Sequence, residues 1–313
     1  MVLCRVVDDY PRTLLEFEDR FRTEAACRTY LAQVRWPQGF RCRCCGHERG
    51  WQTGRAVWVC CRCRAHVSVL AGTIFQDSHL PLRLWFRAMW YVTSQKSGVS
   101  ALGLQRTLGL GSYETAWRCL HKLRRAMVRP GRERLTESVE VDEVFVGGVE
   151  PGQGRRHLGQ TKALVAVAAE VRGPGIGRIR LHRIPNASGA SLVGFVQRVV
   201  EPETVVMTDG WTAYPELAQY GYRHRPRVVS GSGQTASALL PRVHRVAALL
   251  KRWLLGMHQG AVSHEHLEDY LNEFTFRFNR RLSRHRGKLF HRLLQQAVAI
   301  HPIPYTMLVA SRR

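Results

Sequence analysis

The chain has 313 residues, which is enough for two domains or for one large domain with small attachments. Hydrophobic residues make up 45% of it and aromatic residues 9%, a composition that excludes a disordered chain and allows a sizeable core. Because 47 Lys and Arg residues stand against 24 Asp and Glu residues, the formal net charge is +23. A charge of this sign and size predicts a nucleic-acid partner and disfavours acidic enzymes that act on small molecules.

The sequence predicts neither a membrane span nor export. The longest apolar run, 163–169, is far shorter than the roughly 18 residues of a spanning helix. Asp8 and Asp9 fall where a secretory signal needs apolar residues. Six of the nine cysteines lie between positions 42 and 63, a spacing that favours metal binding in a reducing cytosol over disulfides. We therefore expect a cytoplasmic protein.

An N-terminal helical segment over 1–34 is followed by two C-x-x-C pairs with fourteen residues between them: Cys42, Cys45, Cys60 and Cys63. Two residues between thiolates allow both sulfurs to bind one ion from a tight turn, and four thiolates close a tetrahedral shell. The spacing predicts a zinc ribbon over 35–78, with a structural zinc ion that stabilises the fold. Four neighbouring residues are alternative ligands: Cys44, Cys61, His47 and His66.

Residues 79–130 show helical periodicity, which ends in two short helices between Val99 and Met127 joined at Gly109–Ser112. A short helix, a glycine-containing turn and a longer helix with a basic end have the layout of a helix-turn-helix. The pattern predicts a DNA-binding segment. A helical hairpin used only for packing would have the same pattern.

From residue 131 strands alternate with helices. We predict strands over Ser138–Phe145, Ala163–Val171, Gly177–Ile184, Thr204–Thr208 and, more weakly, Tyr222–Val229, and helices over Ser191–Val200 and Leu240–Met257. This order is the one expected of an RNase H-like α/β domain, which we place at 131–301 with a tail at 302–313. Other α/β topologies share parts of the order.

The chain from Phe274 to Arg313 contains no acidic residue. Its basic residues concentrate within sixteen positions: Arg277, Arg280, Arg281, Arg284, Arg286, Lys288 and Arg292. Charges at this density repel one another unless a polyanion neutralises them, so the segment is predicted to contact phosphates. A solvated helix face is the alternative.

Two aspartates lie in positions suited to metal binding. Asp142 is in the middle of the first predicted strand of the α/β domain, where a charge is costly unless it is paired or bound to a metal. Asp209 follows a later strand at its carboxyl end, where α/β folds bind ligands. If the two strands are neighbours, both carboxylates face one cleft and share divalent cations. A salt-bridged strand aspartate and a turn aspartate are the alternatives. Glu143 alternates to the opposite face of the strand, so we leave it out of the predicted site.

The chain resembles the ISXO-like transposases of bacterial insertion sequences, which combine a zinc ribbon with a DDE-type RNase H-like catalytic domain. Blocks over nearly the whole chain carry the resemblance, the last being the most specific: Arg35–Pro37, Gly39–Phe40, Ala71–Phe75, Val141–Glu143, Thr208–Trp211, Lys251–Gly256 and Tyr270–Arg281. It implies cleavage of DNA at the element's terminal inverted repeats and transfer of the freed 3′-hydroxyl to target DNA, with two Mg²⁺ ions. It also implies a homo-oligomer on DNA, associated with the bacterial nucleoid.

Enzymes of this type carry a glutamate, or sometimes an asparagine, about 35 residues after the second aspartate, and a Lys or Arg seven residues further. Here those positions hold His244 and Lys251, which share one polar stripe of a helix. We expect His244 to bind the second metal or to handle the proton of the attacking water. A solvated histidine, Glu273 as the third carboxylate and a degenerate site are the alternatives. Because imidazole suits Mn²⁺ better than Mg²⁺, Mn²⁺ should favour cleavage, which should fade below about pH 6.5.

In the two-metal scheme, Asp142 bridges both ions and Asp209 holds one, with the ions about 3.5–4 Å apart. Lys251, with Arg252 beside it, is expected to contact a phosphate next to the scissile bond. Trp211 is expected to stack on an unpaired base, with core packing as the alternative.

Two other functions remain open. A DNA-binding regulator built on the zinc ribbon and the helix-turn-helix would use the α/β domain only as a scaffold, and Asp142→Asn and Asp209→Asn would leave its cellular function unchanged. A junction-resolving or RNA-strand nuclease of the same fold would cut branched or hybrid substrates without specific ends and without strand joining.

Overall fold

The computed structural model describes residues 9–54, 57–129, 131–147, 162–228, 233–259, 262 and 264–309. The chain forms two compact units, one comprising Met1–Pro130 and Leu282–Arg313 and the other comprising Gly131–Arg281. The break near 131 coincides with the start of the predicted α/β domain. The residues from 282 to 301, which we had assigned to that domain, belong instead to the first unit.

The helices are α1 (Leu14–Arg20), α2 (Glu24–Arg35), α3 (Leu82–Ser94), α4 (Ala101–Leu108), α5 (Tyr113–Ala126), α6 (Gly189–Val199), α7 (Ala236–Leu239), α8 (Pro241–His258), α9 (Leu267–Asn279), α10 (Arg286–Ala299) and α11 (Tyr305–Val309), with a 3₁₀ helix at Pro215–Tyr220. The strands are β1 (Gly50–Gln52), β2 (Val57–Cys60), β3 (His66–Ser68), β4 (Ser138–Val146), β5 (Ala163–Arg172), β6 (Gly175–Ile184), β7 (Val205–Thr208) and β8 (Arg223–Pro226). None of the helices in the described part of the chain is long and apolar enough to cross a membrane.

The N-terminal helical segment is divided by a cap that its apolar pattern does not reveal. The side chain of Thr13 accepts a hydrogen bond from the Glu16 N–H, and that of Thr23 accepts one from the Ala26 N–H. A threonine in extended backbone conformation with such a bond starts a helix. The single stripe predicted over this region is therefore two helices, α1 and α2.

The helix α10 belongs to the first unit because of its aromatic residue. Phe290 is fully buried, and its ring lies 5.3 Å from Phe17, 5.6 Å from Phe86 and 6.0 Å from Trp90. Burying an aromatic side chain contributes roughly 1.5–3 kcal/mol. The apolar face of this basic segment, rather than its charge, decides where it packs.

The second unit is built on one mixed sheet with the strand order β6-β5-β4-β7-β8. The strands β4, β5 and β6 are antiparallel, and β7 and β8 run parallel to β4. Helix α6 and the 3₁₀ helix contribute to the core on one face, and α8 and α9 contribute to the core on the other. This is the predicted RNase H-like α/β fold. The predicted strand boundaries hold to within two residues, except that β8 ends at Pro226 and Val229 lies outside the described residues.

The expected tail is partly helical. Residues Tyr305–Val309 form α11, and Leu308 is buried. A single turn with one buried side chain is held by its packing rather than by its own hydrogen bonds, since isolated short helices are unstable. Residues 310–313 lie outside the described part of the chain.

Candidate metal centres and DNA-binding residues

The two predicted cysteine pairs meet at one point. The Sγ atoms of Cys42 and Cys63 lie 3.6 Å apart, as do those of Cys45 and Cys60, and all four lie within 4.8 Å of one another. A tetrahedral zinc site with Zn–S bonds of about 2.3 Å has sulfur–sulfur edges of about 3.8 Å. The four sulfurs therefore fit a closed structural zinc site.

The knuckle turns explain why the spacing works. In the first knuckle the N–H of Gly46, which has a φ of +72°, donates to the Cys42 carbonyl. Arg64, with a φ of +60°, donates in the same way to the Cys60 carbonyl. Glycine adopts this left-handed conformation freely, whereas arginine does so only under constraint. The alternative ligands Cys44, Cys61, His47 and His66 lie outside the four-sulfur cluster.

The carboxylate site begins with the pairing of β4 and β7. The parallel register pairs Glu140 with Met207, and extending it by two residues brings Asp142 beside Asp209. The side chain of Asp142 is 20% exposed. Burial raises the pKa of Asp142 to about 6, and the negative charge of Asp209 contributes to the rise. The two aspartates are therefore neighbours, as the metal-binding hypothesis requires.

Neither aspartate is neutralised by a strong cation. Asp142 accepts a hydrogen bond from the Glu143 N–H at 2.9 Å, and Asp209 accepts one from the Trp211 N–H at 3.1 Å. The Nε2 atom of His244 lies 3.5 Å from the second carboxylate oxygen of Asp142. Within the described residues no Lys or Arg side chain pairs with either aspartate, although the chain carries a net charge of +23.

The position of His244 is fixed by the same strand that carries Asp142. Helix α8 begins at Pro241, and the carboxylate of Glu140 accepts hydrogen bonds from the N–H groups of Arg242 (2.7 Å) and Val243 (3.0 Å). The Arg242 guanidinium also pairs with this carboxylate at 2.8 Å. A carboxylate at a helix N-terminus satisfies free N–H groups and interacts favourably with the helix dipole. Glu140 therefore anchors the turn that presents His244.

The buried side of α8 is the predicted one. Its buried residues are Val243, Val246, Leu250 and Leu254. His244 is 32% exposed on the polar side, and Lys251 is exposed two turns further along the helix. The histidine and the lysine thus share one stripe, as their spacing indicates.

Glu273, the alternative third carboxylate, has a different environment. It is 1% exposed and pairs with Arg277 one helical turn later, at 2.7 Å. Its helix, α9, packs on β6, which is separated from β4 by β5. The structure brings His244, not Glu273, to Asp142.

Tyr214 was missed from sequence, and Glu143 was set aside because it alternates to the other face of its strand. The Tyr214 hydroxyl donates to Glu143 at 2.9 Å, and the Tyr214 side chain is fully buried. Glu143 does point to the other face, as alternation predicts, but burial raises its pKa and the charges of Asp142 and Asp209 add to the rise. The position of Glu143 next to Asp142 in the sequence was a signal for its importance. Assigning its side chain to the other face of the strand hid that signal.

Residues 134–279 match the family model of the ISXO2-like transposase domain, and residues 22–66 match that of the transposase zinc-ribbon domain. Together the two matches cover more than half of the chain and include both candidate metal sites. The chain therefore combines an ISXO2-like transposase domain with a transposase zinc-ribbon domain.

Two individual proteins extend the comparison. An uncharacterised protein in the transposable element ISH50 of Halobacterium salinarum is 29% identical to this transposase over 279 residues, which are 82% of this chain and 91% of that protein. A chain in the simian T-cell lymphotropic virus intasome, solved in complex with PP2A regulatory subunit B56 gamma, is 16% identical and matches with a TM-score of 0.31. That match covers 58% of this chain and 66% of the other, and it is too distant to support a structural argument.

The expected DNA contacts of the transposase divide into exposed and internally bound groups. Lys251, Arg252 and Arg284 are exposed. Trp211 is 48% exposed and its indole N–H donates to the Ala187 carbonyl at 3.0 Å, so it is not packed in the core. Arg277, by contrast, is bound to Glu273.

Two further arginines of the basic C-terminal run also have internal partners. Arg280 lies over the Phe276 ring at 4.1 Å, and Arg281 donates to the Phe278 carbonyl at 2.8 Å and to the Ile176 carbonyl. Such contacts satisfy guanidinium donors without a polyanion. The acid-free run is therefore in part a structural feature, and its phosphate contacts remain a prediction.

The helix-turn-helix segment has the predicted form. Ser100 and Ser112 cap α4 and α5, and Gly109 ends α4 with a φ of +63°. Helix α11 lies against the first turns of α5: the Tyr305 hydroxyl donates to Glu114 at 2.6 Å, and the Arg118 guanidinium stacks on the Tyr305 ring at 3.7 Å. The DNA-reading role of α5 remains a prediction. The exposed N-terminal turn of α5 is also where Tyr305 of α11 makes its contacts.

Proposed function

We propose that this transposase cleaves the ends of its insertion sequence and transfers the freed 3′-hydroxyl strands to target DNA. One observation carries the proposal: the half-buried Asp142 lies beside Asp209, and neither has a Lys or Arg partner among the described residues. Two adjacent carboxylates repel each other in a partly desolvated site. Such a pair is favourable when a divalent cation neutralises it.

The donor atoms fit Mg²⁺ or Mn²⁺. Asp142, Asp209 and His244 would hold the ions through carboxylate oxygens and one imidazole nitrogen. Bound there, the ions would supply the positive charge that stabilises the attacking and departing oxygens at phosphorus. Since Mg²⁺ prefers oxygen ligands and imidazole suits softer ions, His244 makes Mn²⁺ the better activator.

The protein side chains set the geometry of this site. Strand β4 fixes Asp142, and Glu140 of the same strand holds the helix turn that carries His244. On the other face, the Tyr214 hydroxyl holds the Glu143 carboxylate through a hydrogen bond. Lys251, exposed two turns further along the helix, would bind a phosphate of the DNA as a compact positive charge. Cutting and joining two element ends would further require a dimer or a larger assembly.

The proposal is tested by cleavage of DNA that carries the sequences flanking this gene, incubated with Mg²⁺ or Mn²⁺. We expect Asp142→Asn and Asp209→Asn each to abolish cleavage and strand joining while gel-shift binding of the same DNA is retained. Asp19→Asn, which removes an exposed carboxylate in α1, is the control and should cleave normally. Unchanged cleavage by both active-site variants would refute the proposed mechanism. Cutting of branched or hybrid substrates without strand joining would favour a junction or RNA-strand nuclease.

A further inference from the structure

The edge strand β8 carries a row of arginines that the predicted DNA contacts do not include. Arg223 and Arg225 alternate with His224 and Pro226 along this strand, and Arg227 follows directly. All three arginines are exposed. Proline in a strand is confined to sheet edges, which agrees with the place of β8 at the end of the sheet.

The arginines point to the face of the sheet that carries the aspartates. The register pairs Arg225 with Met207 and Met207 with Glu140, so these three side chains share one face. Glu140 receives the N-terminus of α8 and lies two positions before Asp142, on the same face of β4. By alternation Arg223 and Arg227 share this face too.

The row ends at the carboxylate site. The register pairs Thr208 with Pro226, and the Arg227 N–H donates to the Thr208 carbonyl at 2.7 Å. One further step along both chains places Arg227 beside Asp209, as the equivalent step from β4 to β7 places Asp209 beside Asp142. Because β4, β7 and β8 run parallel, the arginines follow the strand direction and reach the aspartates at the carboxyl ends.

The charges of this row are not neutralised by the protein. Among the described residues no carboxylate pairs with Arg223, Arg225 or Arg227. Other arginines of the same unit have one: Arg178 with Glu170, Arg242 with Glu140 and Arg277 with Glu273. A row of exposed, unneutralised arginines suits the negative charge of a phosphate backbone.

We propose that Arg223, Arg225 and Arg227 form a phosphate-binding track that holds the DNA backbone leading into the carboxylate site. This inference rests on the proposed function and names residues that would hold its substrate. Edge strands also carry charges that prevent pairing with another sheet, and that role requires no DNA. The two roles give different results when the charges are removed.

The test measures how DNA affinity depends on salt concentration. The probe is a fluorescent duplex of about 30 base pairs with an arbitrary sequence. Each phosphate that the protein neutralises contributes about 0.9 to the slope of log K against log salt. We expect the triple variant R223Q/R225Q/R227Q to lower the slope by about 2.7 and the triple lysine variant to restore most of it. Arg227→Gln alone should lower the slope by about 0.9. Arg172→Gln removes an equally exposed arginine at the end of β5 and should leave it unchanged.

Thermal unfolding, zinc content and light scattering show whether each variant is folded and monodisperse. A folded triple glutamine variant with the wild-type slope would overturn the proposal. This holds whether the variant stays monodisperse or aggregates through strand β8, which has lost its charges. The outcome is separable from the proposed function. If Asp142→Asn still cleaved DNA, the proposed mechanism would be refuted, but the salt slopes would still report on the arginines. If the triple glutamine variant kept the wild-type slope, the phosphate-binding track would be refuted, but the proposed role of the aspartates would stand.

Discussion

The four cysteines of the zinc ribbon come from one short stretch of chain, 42–63, whereas the carboxylate site draws Asp142, Asp209 and His244 from more than 100 residues. The ribbon surrounds its ion with four sulfurs at tetrahedral spacing and leaves no open position. The carboxylate site gathers negative charge that the protein does not neutralise. The first arrangement stabilises the fold, whereas the second costs stability, as expected of the cation site proposed here.

The sharpest test of this contrast is removal of one sulfur. We expect Cys60→Ser to lose the bound zinc and to unfold the ribbon, because zinc binding to such sites contributes on the order of 10 kcal/mol at neutral pH. Cys60 is fully buried and belongs to the cluster. Metal analysis and the thermal unfolding profile measure the effect.

The neighbouring Cys44 is the matched control. It is exposed and lies outside the cluster, so Cys44→Ser should retain one zinc per chain and the wild-type unfolding profile. Retention of zinc by Cys60→Ser together with loss by Cys44→Ser would mean that the ligand set is wrongly assigned.

The zinc ribbon could be predicted from the sequence more completely than the contacts between strands of the second unit, and the reason is physical. A C-x-x-C pair specifies its own geometry within four residues, so its ligands can be read locally. The strands β4 and β7 were each predictable from valine-rich runs, but nothing local states that they pair. That Asp142 lies beside Asp209 could be expected only by assuming an RNase H-like strand order, which the order of the elements and the family resemblance both suggested.

The same limit explains the misplaced helix α10 and the unforeseen role of Glu140. The aromatic stripe around Phe290 shows that a face is buried, but not against which residues it packs. Glu140 lies two residues before Asp142 in the same predicted strand, and its partner Arg242 lies 102 positions away. Long-range partners of charged residues are set by the assembled fold and leave no periodic pattern in the sequence.

Glu140 provides the second test, because it links the strand of Asp142 to the helix of His244. It is 1% exposed and holds both the Arg242 guanidinium and two helix N–H groups. Removing one partner of a buried ion pair costs about 3–5 kcal/mol, so Glu140→Ala should lower the free energy of unfolding by that amount. Denaturant unfolding measures it.

An exposed glutamate supplies the comparison for Glu140. Glu203→Ala, in the turn before β7, should change the free energy of unfolding by less than about 1 kcal/mol. If the two variants were equally stable, Glu140 would not hold α8, and the position of His244 would need another explanation.

His244 provides the third test. We expect His244→Ala to lower Mn²⁺-dependent cleavage by at least about 10–100-fold, which is the usual cost of losing even a hydrogen-bond partner of a metal ligand. We expect His244→Glu to shift the preference towards Mg²⁺, because it replaces a nitrogen donor with an oxygen donor. Parallel cleavage assays in the two metals measure both effects. Wild-type rates for His244→Ala in both metals would remove the histidine from the site.

The fourth test concerns the folding cost of Asp142 itself. Burial raises its pKa to about 6 in the folded protein, whereas an unfolded aspartate titrates near 3.9. Because the folded-state pKa lies above the unfolded value, Asp142 contributes to the free energy of unfolding. This contribution is complete below about pH 4 and is lost as the pH rises through about 6. Asp142→Asn removes this loss. The variant should therefore match wild type near pH 4 and exceed its free energy of unfolding by about 3 kcal/mol at pH 7.

Denaturant unfolding between pH 4 and 7.5, with and without Mg²⁺, measures this difference. Comparing variant with wild type at each pH cancels the titration of the zinc thiolates, which both proteins share. A divalent cation neutralises Asp142 in wild type but has less charge to bind in the variant, so Mg²⁺ should narrow the gap above pH 6. A wild type that is more stable than Asp142→Asn at pH 7 without metal would mean that the protein itself neutralises this carboxylate, and the contrast with the closed cysteine site would not hold.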